Sequence, residues 1–301
     1  MSATPRRPRA IRARRVAIFG AGKVGRALAA GLRRAGYRVT LRSGRRAVPR
    51  EVDADVIVLA VRDGRISEVA SALCGRVSAR AVCVHVAGAL GPEALAPLAR
   101  SCAGLAQMHP LASFASSARP PDLRGVTALV TGDRAGATGA RALARAVGMV
   151  PRSFPGVDLV AYHTAAALVA NGSAALAAAG AELLAAAGVP VRARDAMLGA
   201  LMKTVAVNVT ALGTSSALTG PVRRGDAAAV ERQRAVVSAR APGLLPLLDA
   251  LVRAQLPLAK ALGDAPPGTL ETLEALLAPK KSAPARQPAR GSHPRKARPG
   301  R

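Results

Sequence analysis

Tryptophan is absent and aromatic residues make up only 2% of the 301-residue chain, while 17 acidic residues face 44 Lys and Arg, for a formal charge of +27. With so few rings, and half of all residues hydrophobic, a core has to be built from Ala, Leu and Val, which favours close-packed helices. A charge of this size ordinarily points to nucleic acid or an acidic surface. The missing aromatics argue against dedicated nucleic-acid binding, because no rings interleave with the basic residues to stack bases. Much of the charge is also terminal: residues 1–15 carry Arg6, Arg7, Arg9, Arg12, Arg14 and Arg15 without an acid, and the Pro-rich, Lys/Arg-rich residues 279–301 carry none either. Arg and Ala enrichment without Lys resembles the codon bias of a GC-rich genome.

Cysteine is scarce too. Cys74, Cys83 and Cys102 are odd in number and lack CxxC spacing, which excludes a disulfide framework and leaves no metal site to expect; they read as buried, reduced thiols. Pro5 and Pro8 break the basic N-terminus, and the apolar run after it is short, so no signal peptide is visible and a cytoplasmic protein is expected. The Ala-rich stretch from Leu159 to Ala187 could cross a bilayer by length. It carries His163, Asn171 and Glu182, and is read as a buried helix of a soluble domain, with no membrane partner.

What is present is organised around Gly20-Ala21-Gly22-Lys23-Val24-Gly25, directly after the apolar run Val16 to Phe19 and before the helix-like stretch from Lys23 to Ala35. In a strand, glycine turn and helix, the first glycine permits the turn, the second admits a pyrophosphate to the backbone, and the third lets helix pack on strand. The helix N-terminus offers free N–H groups to the anion. Past the second strand, Tyr37 to Leu41, where an acid would hold the ribose hydroxyls of NAD(H), stands Arg42-Ser43-Gly44-Arg45-Arg46. Arginine there suits a 2′-phosphate, so NADP(H) is the expected cofactor. Asp55 to Val61 reads as a strand buried on both faces. After Val61 it ends beside the crevice at Arg62-Asp63-Gly64, with Asp63 placed either to touch the cofactor or to cap the next helix.

Further strands are expected at Ala81–Gly88, Leu105–Pro110 and Val126–Val130, with helices at about Pro92–Arg100 and Arg134–Gly148. Strands and helices that alternate in this way predict a parallel sheet. From about Val157 only helices are predicted: Asp158–Ala187, Arg194–Gly213, Asp226–Ala241 and shorter ones to Leu277, the last striped by Leu270, Leu273, Leu276 and Leu277. The expected organisation is a basic disordered arm (1–15), a Rossmann-type α/β dinucleotide-binding domain (16–153), an all-α substrate and dimerisation domain (154–278) and a basic disordered tail (279–301).

The phrases GAGKVG at Gly20, AVRD at Ala60, HVAGALG at His85, MHPLASF at Met108, YHTAAALVANG at Tyr162 and ALTGPVRRGD at Ala217 together resemble the bacterial proteins in which a Rossmann-like domain precedes a domain of unknown function, DUF2520. The resemblance spans nearly all of residues 16–277. It is similar in architecture to the 6-phosphogluconate dehydrogenase-like enzymes, among them ketopantoate, pyrroline-5-carboxylate and prephenate enzymes, and implies a dehydrogenase fold and a homodimer without naming a substrate. One departure stands out. The family's usual HxSG is His85-Val86-Ala87-Gly88 here, so any role of that serine hydroxyl is missing.

Hydride transfer to a carbonyl or imine carbon requires a proton for the oxygen or nitrogen. His109, before Pro110 in a loop expected to border the crevice, and His163, at the start of the long helix, are the candidate donors. A turn-bonded histidine is the bland alternative for His109. Asn171 lies about 80° from His163 around the helix and is better aligned with Thr164; it could orient an oxo substrate, or serve only to bond helix to helix. Lys203 and Asn208 are about 140° apart, and Asn208 with Thr204 makes the better inward pair. Arg223 and Arg224, in the loop before the capping residue Asp226, suit a substrate carboxylate. These readings converge on an NADP(H)-dependent oxidoreductase acting on a small carboxylated 2-oxo acid such as ketopantoate, or on an imine, between the two domains. The other class of answer is a non-catalytic nucleotide sensor or scaffold on the same fold.

Overall fold

The computed structural model describes residues 14–278, so the expectations for residues 1–13 and 279–301 lie outside the described residues. Two compact units divide it, the boundary falling after Ala174.

The first unit is built on a seven-stranded sheet of order β2-β1-β3-β4-β5-β6-β7. The strands are β1 (Arg15–Phe19), β2 (Arg38–Arg42), β3 (Val56–Leu59), β4 (Val82–His85), β5 (Gly104–Pro110), β6 (Thr127–Gly132) and β7 (Val150–Arg152). Because side chains alternate across a strand, Val16, Ile18, Val56, Val58 and Val84 pack on one face with α1 (Lys23–Arg34) and α3 (Arg134–Ala146). Ala17, Phe19, Ile57, Leu59 and Cys83 pack on the other with α2 (Ile66–Leu73) and Leu95 and Leu98. The layers are those of a doubly wound α/β fold.

Several expectations are corrected. Arg15, grouped with the basic arm, opens β1: its N–H donates to Asp55 Oδ2 at 2.8 Å and its guanidinium pairs with Asp53. The sheet is not wholly parallel, since β5 and β6 run antiparallel, and β7 is a strand the sequence reading did not contain. Pro92–Leu98 is 3-10 helical rather than α-helical; Pro97 inside it has no N–H to donate. Cys74 is exposed and Cys102 half-buried, leaving Cys83 as the one buried thiol among the described residues.

In the second unit, α6 (Ala227–Arg240), α7 (Leu245–Leu262) and α8 (Thr269–Leu276) enclose Val230, Val252, Leu256, Leu270 and Leu273. Asp226 caps α6 by accepting from Ala229 N–H at 2.9 Å, as expected. Instead of only short helices, the region beyond α6 holds the 18-residue α7.

The Ala-rich region forms α4 (Leu159–Ala186), followed by α5 (Val191–Leu212). Neither has a buried residue, contrary to the buried helix expected. Leu168 is 74% exposed and Val169 69%, and on α5 Val191 is 76% and Leu201 59% exposed. Both helices are long and apolar enough to cross a membrane by length and composition.

Candidate functional site

The turn after β1 explains its three glycines in turn. Gly20 has φ +120°, and a Cβ on it would stand 2.1 Å from Ala60 O; on Gly25 it would stand 1.8 Å from Gly20 O. Neither position tolerates a side chain, because backbone is already there. A Cβ on Gly22, by contrast, meets nothing within 4 Å. Gly22 is also the N-cap of α1, with no side-chain cap, so the open space lies where the helix's first N–H groups would meet a bound anion. Gly20 N–H donates to Arg42 O at 2.8 Å, tying the turn to the end of β2.

The order β2-β1-β3 reverses the direction of winding beside β1, and ligands bind outside the strand C-termini at such a reversal. A cavity of about 490 Å³ opens there, lined by Gly20, Gly22, Ser43, Arg45, Val61 and Arg65 among others. Five of the expected cofactor residues thus share one cavity, while Gly25 shapes its turn from below. Lys23, Val24, Arg42 and Asp63 do not line it. Nor does Asp63 cap α2: it begins the 3-10 turn Asp63–Arg65, whose N-cap is Arg62. Sequence reasoning placed Arg62 at the crevice without giving it a role and missed Arg65, the second basic residue in the loop after β3. Arg65 is shared with Glu68, at 2.9 and 2.6 Å; Arg45 and Arg62 have no acidic partner among the described residues.

The residues of this cavity fit a dinucleotide. The test is the cradle itself, closed to a Cβ at Gly20 and Gly25 and open at Gly22.

A second cavity of the same unit, about 700 Å³, brings together His109, Tyr162, His163 and Asn171 with Ser113 and Phe114. His109 sits within β5 rather than in a loop. The α4 residues are placed by Asp158, whose carboxylate accepts from Val160 N–H at 2.9 Å and Ala161 N–H at 3.0 Å. Tyr162 Oη lies 3.3 Å from His109 Nδ1. The His109 ring meets both neighbours edge-on, with centroids 5.6 Å from Tyr162 and 5.4 Å from His163. Burial, and then the imidazoles of His163 and His85, push His109 down to about 4. Burial raises the Tyr162 hydroxyl above its usual range.

Beneath this group lies a polar network that was also missed. His85 and Gln107 are fully buried and face each other in register on β4 and β5. Gln107 Nε2 donates to Ala87 O at 2.8 Å and Gly88 O at 3.1 Å, and its Oε1 accepts from Thr131 at 2.9 Å. His85 Nε2 donates to Gly91 O at 2.9 Å and Nδ1 accepts from Ala87 N–H at 3.2 Å, so the ring is neutral; burial lowers its pKa. Held in this way, Gly88 packs under His163, where a Cβ would come 2.1 Å from Nδ1. That Nδ1 is buried without a hydrogen-bond partner. Gln107 has a recognisable signal in the sequence, as an amide two residues before His109 on the same strand face.

In the second unit, Arg223 is committed to structure. Its guanidinium pairs with Asp264 at 2.5 Å and donates to Leu218 O at 3.0 Å, so it is not the free anion site expected. Arg224 beside it is exposed, and Asn208 on α5 is half-buried. Thr204 spends its hydroxyl on Leu201 O at 2.7 Å.

Family models match a Rossmann-like domain at residues 46–110 and a domain of unknown function, DUF2520, at residues 126–255. The chain joins a Rossmann-like domain to a DUF2520 domain. No curated protein matches it. Among solved structures, a Bacteroides fragilis protein described as a candidate NADP oxidoreductase is similar at 21% identity and TM-score 0.65, over 81% of this chain and 98% of that one. A Thermotoga maritima protein is similar at 25% identity and TM-score 0.61, covering 82% and 98%. A Plasmodium falciparum pyrroline carboxylate reductase with NADP bound is similar at 12% identity and TM-score 0.56, covering 88% and 98%. At these identities the likeness to the named oxidoreductases establishes the fold. The DUF2520 match begins at β6 and takes in Tyr162, His163 and Asn171, whereas His109 belongs to the Rossmann-like match.

Proposed function

We infer that the chain is an NADP(H)-dependent oxidoreductase that reduces a small carboxylated 2-oxo acid of the ketopantoate kind, or an imine. The glycine cradle at the winding reversal, open at Gly22 and bordered by Ser43 and Arg45, carries the reading. Gly20, Gly22 and the first turn of α1 would hold the pyrophosphate. Ser43 and Arg45 would take the 2′-phosphate, with Arg62 adding positive charge. A bound nicotinamide supplies or accepts the hydride. The chain's own task is to deliver a proton and to steady charge at the reacting oxygen or nitrogen. His109, with its depressed pKa, is a neutral donor at physiological pH; His163 is the alternative, and Asn171 orients the substrate. Among the described residues, no Lys or Arg lines the second cavity; of the second unit's candidates for a substrate carboxylate, Arg224 and Asn208 remain unpaired while Arg223 is bound to Asp264.

The exposed apolar faces of α4 and α5 belong, in this reading, to a homodimer. A helix apolar on all sides needs cover on all sides, and Asn171 and Glu182 on α4 and Lys203 on α5 disfavour lipid as that cover. Light scattering in detergent-free buffer is expected to give twice the 30.4 kDa chain mass; a monodisperse monomer would overturn this.

A titration followed by the fluorescence of NADPH, and separately of NADH, tests the cofactor reading without Trp interference. NADPH is expected to bind more tightly, and Arg45→Ala to remove most of the difference. Binding of neither cofactor would overturn the reading. A non-catalytic sensor is the second possibility, favoured by buried Ala87 where the family's serine is expected. Cofactor binding without turnover across a panel of oxo acids and imines would select it.

A further inference from the structure

His109 faces a difficulty as a proton donor. Burial disfavours its imidazolium, so at neutral pH it holds a single proton, and surrendering that proton alone would leave an anionic ring. Tyr162 stands where this can be relieved. Its hydroxyl is 3.3 Å from Nδ1 of His109, and its place at the start of α4 is fixed by the Asp158 cap and by its own N–H donating to Asp158 O at 2.9 Å. Catalytic hydrogen bonds commonly tighten from such lengths when substrate binds.

The geometry points to Tyr162 as a positioning and proton-supplying residue: its hydroxyl donates to His109 Nδ1, fixes the imidazole as the Nε2–H tautomer, and replaces the proton that Nε2 gives up. This rests on the oxidoreductase reading. As the Nε2–H bond breaks and its proton joins the substrate oxygen or nitrogen, the tyrosine O–H bond breaks and Nδ1 gains a proton, so the ring stays neutral. The Nδ1 proton then returns to the phenolate while water reprotonates Nε2 and departs as hydroxide to bulk solvent. Water is the net proton source, and Tyr162, whose hydroxyl burial keeps protonated, is the acid. His163 lacks an equivalent partner: its buried Nδ1 has none. A structural hydroxyl would serve as well as a donor or an acceptor, whereas the relay requires one direction only.

The test is the tautomer of His109 in the full chain labelled with ¹⁵N-histidine, assigned by loss of its signals in His109→Gln. Nδ1 is expected to resonate as an unprotonated acceptor at pH 7, and Tyr162→Phe to release the ring into a mixture of tautomers. A protonated Nδ1 in the native chain, or an unchanged tautomer in Tyr162→Phe, would overturn the proposal. Should the phenylalanine variant not fold, fluorotyrosine at position 162 replaces it: the more acidic hydroxyl is expected to shift Nδ1, and no shift overturns the relay. NADPH titration of the native chain is read separately. Its failure would sink the oxidoreductase reading while leaving the tautomer measured.

Discussion

The depressed His109 pKa has a consequence for stability that can be measured without a substrate. In the unfolded chain a histidine titrates near 6.5, whereas folded His109 titrates near 4, chiefly because it is buried and also because His163 and His85 oppose a further charge. As pH falls from 7, the unfolded chain gains a proton on this residue before the folded one can. Stability is therefore fully present above about 6.5, declines between 6.5 and 4, and declines no further below 4 on this residue's account. Linkage gives a loss of about 2 kcal/mol between pH 7 and pH 5. His85 shifts in the same direction, so the native profile alone does not isolate His109; the difference between native chain and His109→Gln does. Urea unfolding followed by tyrosine fluorescence suits the purpose, because the chain has two tyrosines and no Trp. Both, Tyr37 and Tyr162, lie in the unit that carries His109. The variant is expected to lose about 2 kcal/mol less than the native chain over this interval. Parallel profiles, or an NMR titration midpoint for His109 near 6.5, would refute the burial argument.

Two further substitutions probe the cradle and the network. Gly22→Ala meets nothing within 4 Å, so thermal unfolding should hardly move, while NADPH affinity falls at least about tenfold as the methyl occupies the pyrophosphate's approach; Gly25→Ala, placed 1.8 Å from Gly20 O, should instead destabilise the fold outright. Gln107→Leu strands the Ala87 and Gly88 carbonyls and the Thr131 hydroxyl, at a cost of about 2–4 kcal/mol in urea unfolding, and an unchanged midpoint would show that water replaces the amide.

Most of the first unit was legible because its signals are local. An apolar run, a glycine turn and an amphipathic helix each declare themselves within about a dozen residues, and β1, α1 and β3 lie close to where the sequence puts them. The errors occur where a neighbour decides. Thr127–Gly132 reads as a strand under either orientation, and only its pairing with β5 makes it antiparallel. Arg15 reads as one more arginine of a basic arm until Asp53 and Asp55, some forty residues on, are brought beside it. The Ala-rich α4 reads as buried because its composition demands cover; among the described residues that cover is not supplied.

The site divides along the same line. That Gly20, Gly22, Ser43 and Arg45 would line one cavity was legible because strand C-termini in an α/β fold converge on one edge whatever the intervening sequence. The ion pair of Arg223 was not legible, because a guanidinium's partner depends on the fold and Asp264 is 41 residues away. The pairing of His109 with Tyr162 spans 53 residues. Nothing in either local sequence specifies it, although Tyr162 stands next to His163, which was singled out. The chemistry assigned to His109 turns on that contact. Read as an isolated histidine, it suggests an imidazolium acid whose activity fades above its pKa. Read with a half-buried tyrosine donating to Nδ1, it is a neutral relay, and the rate it supports should stay level from about pH 5 up to the alkaline range in which Tyr162 ionises.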